Sequence, residues 1–92
     1  MAPSTKGKKR VTFTVSAPVG SDVAVAGSFS DWQPKKKLID KDGVGVYTGA
    51  VMLGKGAHQY KFVIDGDWFV DPVNPNFTVT EMGTMNSVLE VA

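Results

Sequence analysis

The stretch HQYKFVIDGDWFV, residues 58–70, decides the fold. Two alternating runs meet at Asp65 and Gly66, and an Asp-Gly pair between such runs is a strong signal for a two-residue hairpin turn. With those two residues in the loop, Ile64 falls opposite Asp67, Val63 opposite Trp68, and Lys61 opposite Val70. Cross-strand partners share a face, and the face alternates along each strand. Tyr60, Phe62 and Ile64 therefore take the more apolar side, which is the core side, while Lys61 and Trp68 emerge diagonally adjacent on the other. Tryptophan is highly buried on average, so a core position for Trp68 competes with an outward one, and the register alone does not choose between them.

The same period of two extends outward in both directions. Val11, Phe13 and Val15 alternate with Thr12 and Thr14, and the pattern returns in Val23 and Val25, in residues 46–53, and in Leu89 and Val91. A helical spacing of three and four is sustained nowhere. Turn residues separate the runs at 18–22, 27–34, 40–45, 54–56 and 71–76. The expectation is an all-β antiparallel sandwich with strands near residues 10–16, 22–26, 45–53, 58–64, 68–70 and 87–91 and almost no helix. Neither an internal repeat nor an interdomain linker is evident.

Ninety-two residues bury one modest core. Residues 1–9 are expected to form a disordered basic tail and residues 10–92 a single domain. Ten basic and nine acidic residues give a net charge of +1, which lacks the positive field that a dedicated nucleic-acid binder uses to collect phosphates. The basic clusters at 6–10 and 35–37 carry no interleaved aromatics for base stacking and read as a solvated tail and a solvated loop. No cysteine is present, so neither disulfides nor thiolate metal sites contribute. No apolar segment follows the basic start and none is long enough to span a bilayer, so a soluble cytoplasmic protein is expected, with neither nucleic acid nor membrane as partner.

An outward tryptophan beside a lysine suits a sugar. The ring offers a flat apolar contact to the C–H face, while Lys and Asn side chains supply hydrogen bonds to the hydroxyl rim. A second tryptophan, Trp32, ends the turn-rich segment GSFSDW, in which Phe29 is the better core candidate.

Three segments, VAVAGSFSDW (23–32), GAHQYKFVIDGDWFVDP (56–72) and MGTMNSVLEV (82–91), together resemble the glycogen-binding domain of AMP-activated protein kinase β subunits. That domain belongs to carbohydrate-binding module family 48, with the N-terminal domains of isoamylases and branching enzymes. The resemblance covers residues 11–91, with its motifs in family order. It implies an immunoglobulin-like, early-set β-sandwich that binds α-glucan without catalysis. By the same resemblance Trp32 and Trp68 stack on glucose units and Lys61 and Asn86 bind hydroxyls. Thr84 and Met82 complete the set, Met82 standing where a leucine is usual, in a loop one residue longer than in the kinase subunits. The implied partner is a glycogen- or starch-type glucan, with a glucan-metabolising enzyme or kinase as an alternative partner for a scaffold module.

Catalytic chemistry finds little support in the residues. Asp65, Asp67 and Asp71 lie close together, as a glycosidase acid pair would, but Asp at a hairpin turn and before Pro72 has an ordinary turn explanation. His58 is the only histidine and stands without a metal-ligand pattern. Neither a nucleophile triad nor a phosphate loop can be assembled, so no enzyme, metal or cofactor is expected.

Overall fold

In a computed structural model of the chain, residues 7–92 are described. Among these described residues eight strands follow one another: β1 Lys8–Ser16, β2 Val23–Gly27, β3 Lys36–Lys37, β4 Val46–Gly54, β5 Gly56–Ile64, β6 Asp67–Phe69, β7 Phe77–Val79 and β8 Met85–Val91. The only helical turn among the described residues is a 3-10 turn at Ser28–Ser30. All pairings are antiparallel.

Alternation sets the faces. Phe13 and Val15 of β1 are buried while Thr12, Thr14 and Ser16, which alternate with them, are exposed. β1 and β4 make a two-stranded sheet that pairs Lys8 with Gly54 through to Ser16 with Val46. The second sheet runs β3-β2-β5-β8-β7, with β6 also on β5. β5 is its hub. One edge of β5 pairs with β2; the other pairs with β8 along residues 56–60 and with β6 along residues 62–64.

The β5–β6 turn has Asp65 at φ 50° and Gly66 at φ 85°, the two positive φ values of a type I′ turn, whose twist matches the flanking strands. Ile64 faces Asp67 and Val63 faces Trp68, in the register the sequence indicated.

Between the sheets lies one apolar cluster that includes Phe13, Val25, Tyr47, Leu53 and Phe62. Phe13 meets Tyr60 edge-on with ring centroids 4.9 Å apart, and Tyr60 meets Phe62 at 5.8 Å. Such pairs add about 0.5–1.5 kcal/mol beyond the burial of their area. Phe29 packs at the rim of this cluster, 5.9 Å from Phe13.

Two expectations are corrected. β1 begins at Lys8 rather than at residue 10, because Lys8 and Lys9 pair with Gly54 and Leu53 through the backbone, which needs no apolar side chain; the rest of the expected tail, residues 1–6, lies outside the described residues. The lysine run at 35–37 is not wholly loop. Lys36 and Lys37 form β3 against Val25 and Ala24, and Lys37 Nζ reaches Asp22 Oδ1 at 2.6 Å. That ion pair is exposed and contributes little, at most about 1 kcal/mol.

Candidate functional site

The outer face of β5 carries Gln59, Lys61 and Val63 at every second position. Val63 is buried, and its cross-strand partner Trp68 retains 44% exposure. Of the two assignments open for Trp68, the structure takes the outward one: it shares a face with Lys61, away from Tyr60 and Phe62.

Trp32 arrives from the other side of β5. β2 ends at Gly27, the 3-10 turn follows, and then Asp31 and Trp32 both adopt left-handed backbone, at φ 56° and 58°. For residues with a Cβ that conformation costs on the order of 1–2 kcal/mol each. Local hydrogen bonds hold it. Trp32 N–H donates to Gly27 O at 2.9 Å, Gln33 N–H to Ser30 O at 3.1 Å, and Gly27 N–H to Ser30 Oγ at 3.1 Å. Gly27 itself must lack a side chain, since a Cβ there would sit 2.4 Å from Gln59 O and 2.5 Å from the Phe29 ring.

The third wall comes from β8 and the loop before it. Asn86 pairs with Thr78 of β7, is almost wholly buried, and donates its amide Nδ2 to Gln59 Oε1 at 3.1 Å. Between β7 and β8 the chain closes tightly. Thr80 N–H donates to Thr84 O at 2.7 Å, Gly83 N–H donates to Thr80 O at 3.0 Å, and the two threonine hydroxyls bond each other at 2.7 Å. Gly83 takes φ 81° to complete the turn. Met82 at its tip is 88% exposed.

All six residues singled out from the sequence, Trp32, Lys61, Trp68, Met82, Thr84 and Asn86, line one open cavity of about 600 Å³. Thr80 lines it too, and sequence reasoning missed it. The signal was its four-residue spacing from Thr84 across Gly83, which lets two hydroxyls meet over a turn. The lining combines two indole rings and a thioether with an ammonium donor, an amide and two hydroxyls. Among the described residues no carboxylate is part of it.

The aspartates near this stretch act elsewhere. Asp65 Oδ1 accepts the Asp22 N–H at 2.8 Å. Asp71 accepts the Tyr60 hydroxyl at 2.6 Å and the Val73 N–H at 3.0 Å, and its own N–H donates to Ser87 Oγ at 2.8 Å. Asn74 Nδ2 donates to Tyr60 Oη and to Val88 O. These bonds pin the segment joining β6 to β7 against the sheet. Burial, reinforced by the Asp71 carboxylate, raises the Tyr60 pKa well above the ordinary phenol range. His58 holds Gly54 O at 2.7 Å, a structural contact.

The family described as the glycogen recognition site of AMP-activated protein kinase matches residues 9–92. The 5'-AMP-activated protein kinase subunit beta-2 of Mus musculus is 38% identical over 72 residues, 78% of this chain and 26% of that protein. Subunit beta-1 of Sus scrofa is 36% identical over 72 residues, 78% of this chain and 56% of its own length. The chain thus spans about a quarter of the length of the first of these relatives. Among solved structures, the enterobactin esterase of Shigella flexneri superposes with a TM-score of 0.73 at 21% identity, over 89% of this chain and 30% of the esterase. The ferric enterobactin esterase of Salmonella typhimurium gives a TM-score of 0.73 at 18% identity, over 92% and 32%. At such identity the likeness concerns the fold alone, an immunoglobulin-like, early-set β-sandwich.

Proposed function

This chain belongs to the family of glycogen recognition sites of AMP-activated protein kinase, and from that premise we propose that it binds α-glucan, of the glycogen, starch or maltooligosaccharide type, without catalysing a reaction on it. The observation that carries this reading is the convergence of Trp32, Lys61, Trp68, Met82, Thr84 and Asn86 on one cavity. Indole rings offer flat apolar area to the C–H faces of glucose units. Lys61 donates hydrogen bonds only, whereas the Asn86 amide and the threonine hydroxyls bring acceptors as well, which suits a hydroxyl rim. An open site with few polar contacts binds a short oligosaccharide at roughly micromolar to millimolar Kd. Polymers with many such sites compensate through avidity.

Isothermal titration with maltoheptaose or β-cyclodextrin tests it. Saturable heat together with a change in tryptophan fluorescence is expected. Neither signal at millimolar ligand would sink the reading.

An alternative reading draws its support from the relatives, which are subunits of a kinase. The domain would then serve as an accessory module docked to a glucan-metabolising enzyme or kinase. A pull-down of such an enzyme that survives excess glucan supports docking through a surface other than the cavity.

A further inference from the structure

Gln59 does not line the cavity, yet it touches two of its walls. It sits two residues before Lys61 on the same face of β5 and pairs with Val88. Asn86, two residues before Val88 on β8, shares that face.

A primary amide has donors at one end and an acceptor at the other, and the two ends are nearly identical in shape. An unanchored Asn86 could therefore present either end to a ligand. Here Asn86 Nδ2 donates to Gln59 Oε1 at 3.1 Å, which turns the nitrogen end toward Gln59 and leaves the carbonyl Oδ1, with one remaining N–H, for the cavity that Asn86 lines. Oδ1 is an acceptor, and beside it Lys61 is a pure donor. A pair of neighbouring sugar hydroxyls, one giving and one receiving a proton, matches that combination. The backbone of Gln59 reaches the opposite wall. Its N–H donates to Ser28 Oγ at 3.1 Å, and Ser28 opens the 3-10 turn that leads into Trp32.

We propose that Gln59 is a positioning residue for the glucan site, fixing the Asn86 amide with its carbonyl toward the ligand; this rests on the glucan reading above. The prediction concerns coupling between two side chains, so a double-mutant cycle reads it directly. Maltoheptaose affinity is measured by isothermal titration for the unaltered chain, Gln59→Met, Gln59→Glu, Asn86→Ala and Gln59→Met/Asn86→Ala, with thermal unfolding of each. Gln59→Met, which keeps length but removes the acceptor, weakens binding about three- to tenfold, the usual range for one net hydrogen bond. Gln59→Glu keeps the acceptor and restores binding. The double variant binds no more weakly than Asn86→Ala, because an amide already removed cannot be misoriented.

A Gln59→Met variant that binds like the unaltered chain, while Asn86→Ala is weakened, overturns the inference and leaves the glucan reading intact. Losses that multiply in the double variant, or a Gln59→Glu variant as weak as Gln59→Met, overturn it as well. No binding by the unaltered chain removes the glucan reading, and this inference with it.

Discussion

Replacing Trp68 by alanine separates a binding platform from a core residue. Trp68 is 44% exposed, so little more than half of its ring area is removed from water. Taking an indole as burying on the order of 200 Å² when fully covered, and about 25 cal/mol per Å² reduced for a compact unfolded chain, the substitution costs about 2 kcal/mol of stability. In a domain of this size that lowers Tm by roughly 10 °C, and the fold survives if its stability lies in the usual range of about 5–15 kcal/mol. Phe62, with no exposed surface, sets the contrast: Phe62→Ala costs about 3–5 kcal/mol. Binding responds differently. Removal of one stacked ring costs about 1–3 kcal/mol of affinity, by analogy with nucleobases stacked on aromatics, or roughly 5- to 150-fold. Thermal unfolding and maltoheptaose titration on the same Trp68→Ala sample give both quantities. Unchanged affinity in a folded Trp68→Ala protein, or an unfolding loss equal to that of Phe62→Ala, refutes the reasoning.

Three more tests address other links. Gly27→Ala drives a Cβ to within 2.4 Å of Gln59 O, and should cost about 1–3 kcal/mol by overpacking while also weakening glucan binding through the Trp32 turn; a melt and a titration matching the unaltered chain would contradict this. Tyr60 holds its proton more tightly folded than at its ordinary value of 10, so its contribution is complete below about pH 10 and declines as pH rises past that point; Tyr60→Phe should flatten this alkaline decline in urea midpoints, and an equal decline in both proteins would count against the linkage. Because a glucan is neutral, raising salt tenfold should change maltoheptaose affinity by less than about twofold, whereas a steep fall with salt would indicate an anionic ligand.

Much of the fold could be read from alternation because one face of each long strand is buried. The β5–β6 hairpin was legible residue by residue, since Asp65 and Gly66 carry the positive φ values that its turn needs. β3 and β7 escaped, being two and three residues long, too short to establish a period. The start of β1 escaped because backbone pairing at Lys8 and Lys9 is indifferent to their side chains. For the site, periodicity alone joined only Lys61 to Trp68. That Trp32, Met82, Thr84 and Asn86 share their cavity followed from the resemblance to a family, because their meeting depends on a left-handed turn and on a loop closed by threonine hydroxyls. Neither device leaves a periodic trace in sequence.

The walls of the cavity come from the turn after β2, from β5, from β6 and from the loop before β8, and they meet only because β5 accepts all of those strands as neighbours. No contiguous peptide from this chain holds both tryptophans and Asn86 without also holding the whole of β5. The unfolded chain therefore has no site, and occupancy and folding become a single linked equilibrium. Ligand present at about a hundred times its Kd adds roughly 2.7 kcal/mol to stability by mass action, comparable to what one half-buried tryptophan supplies. If the site takes glucan as proposed, a domain immersed in a dense glucan particle is held folded by that polymer.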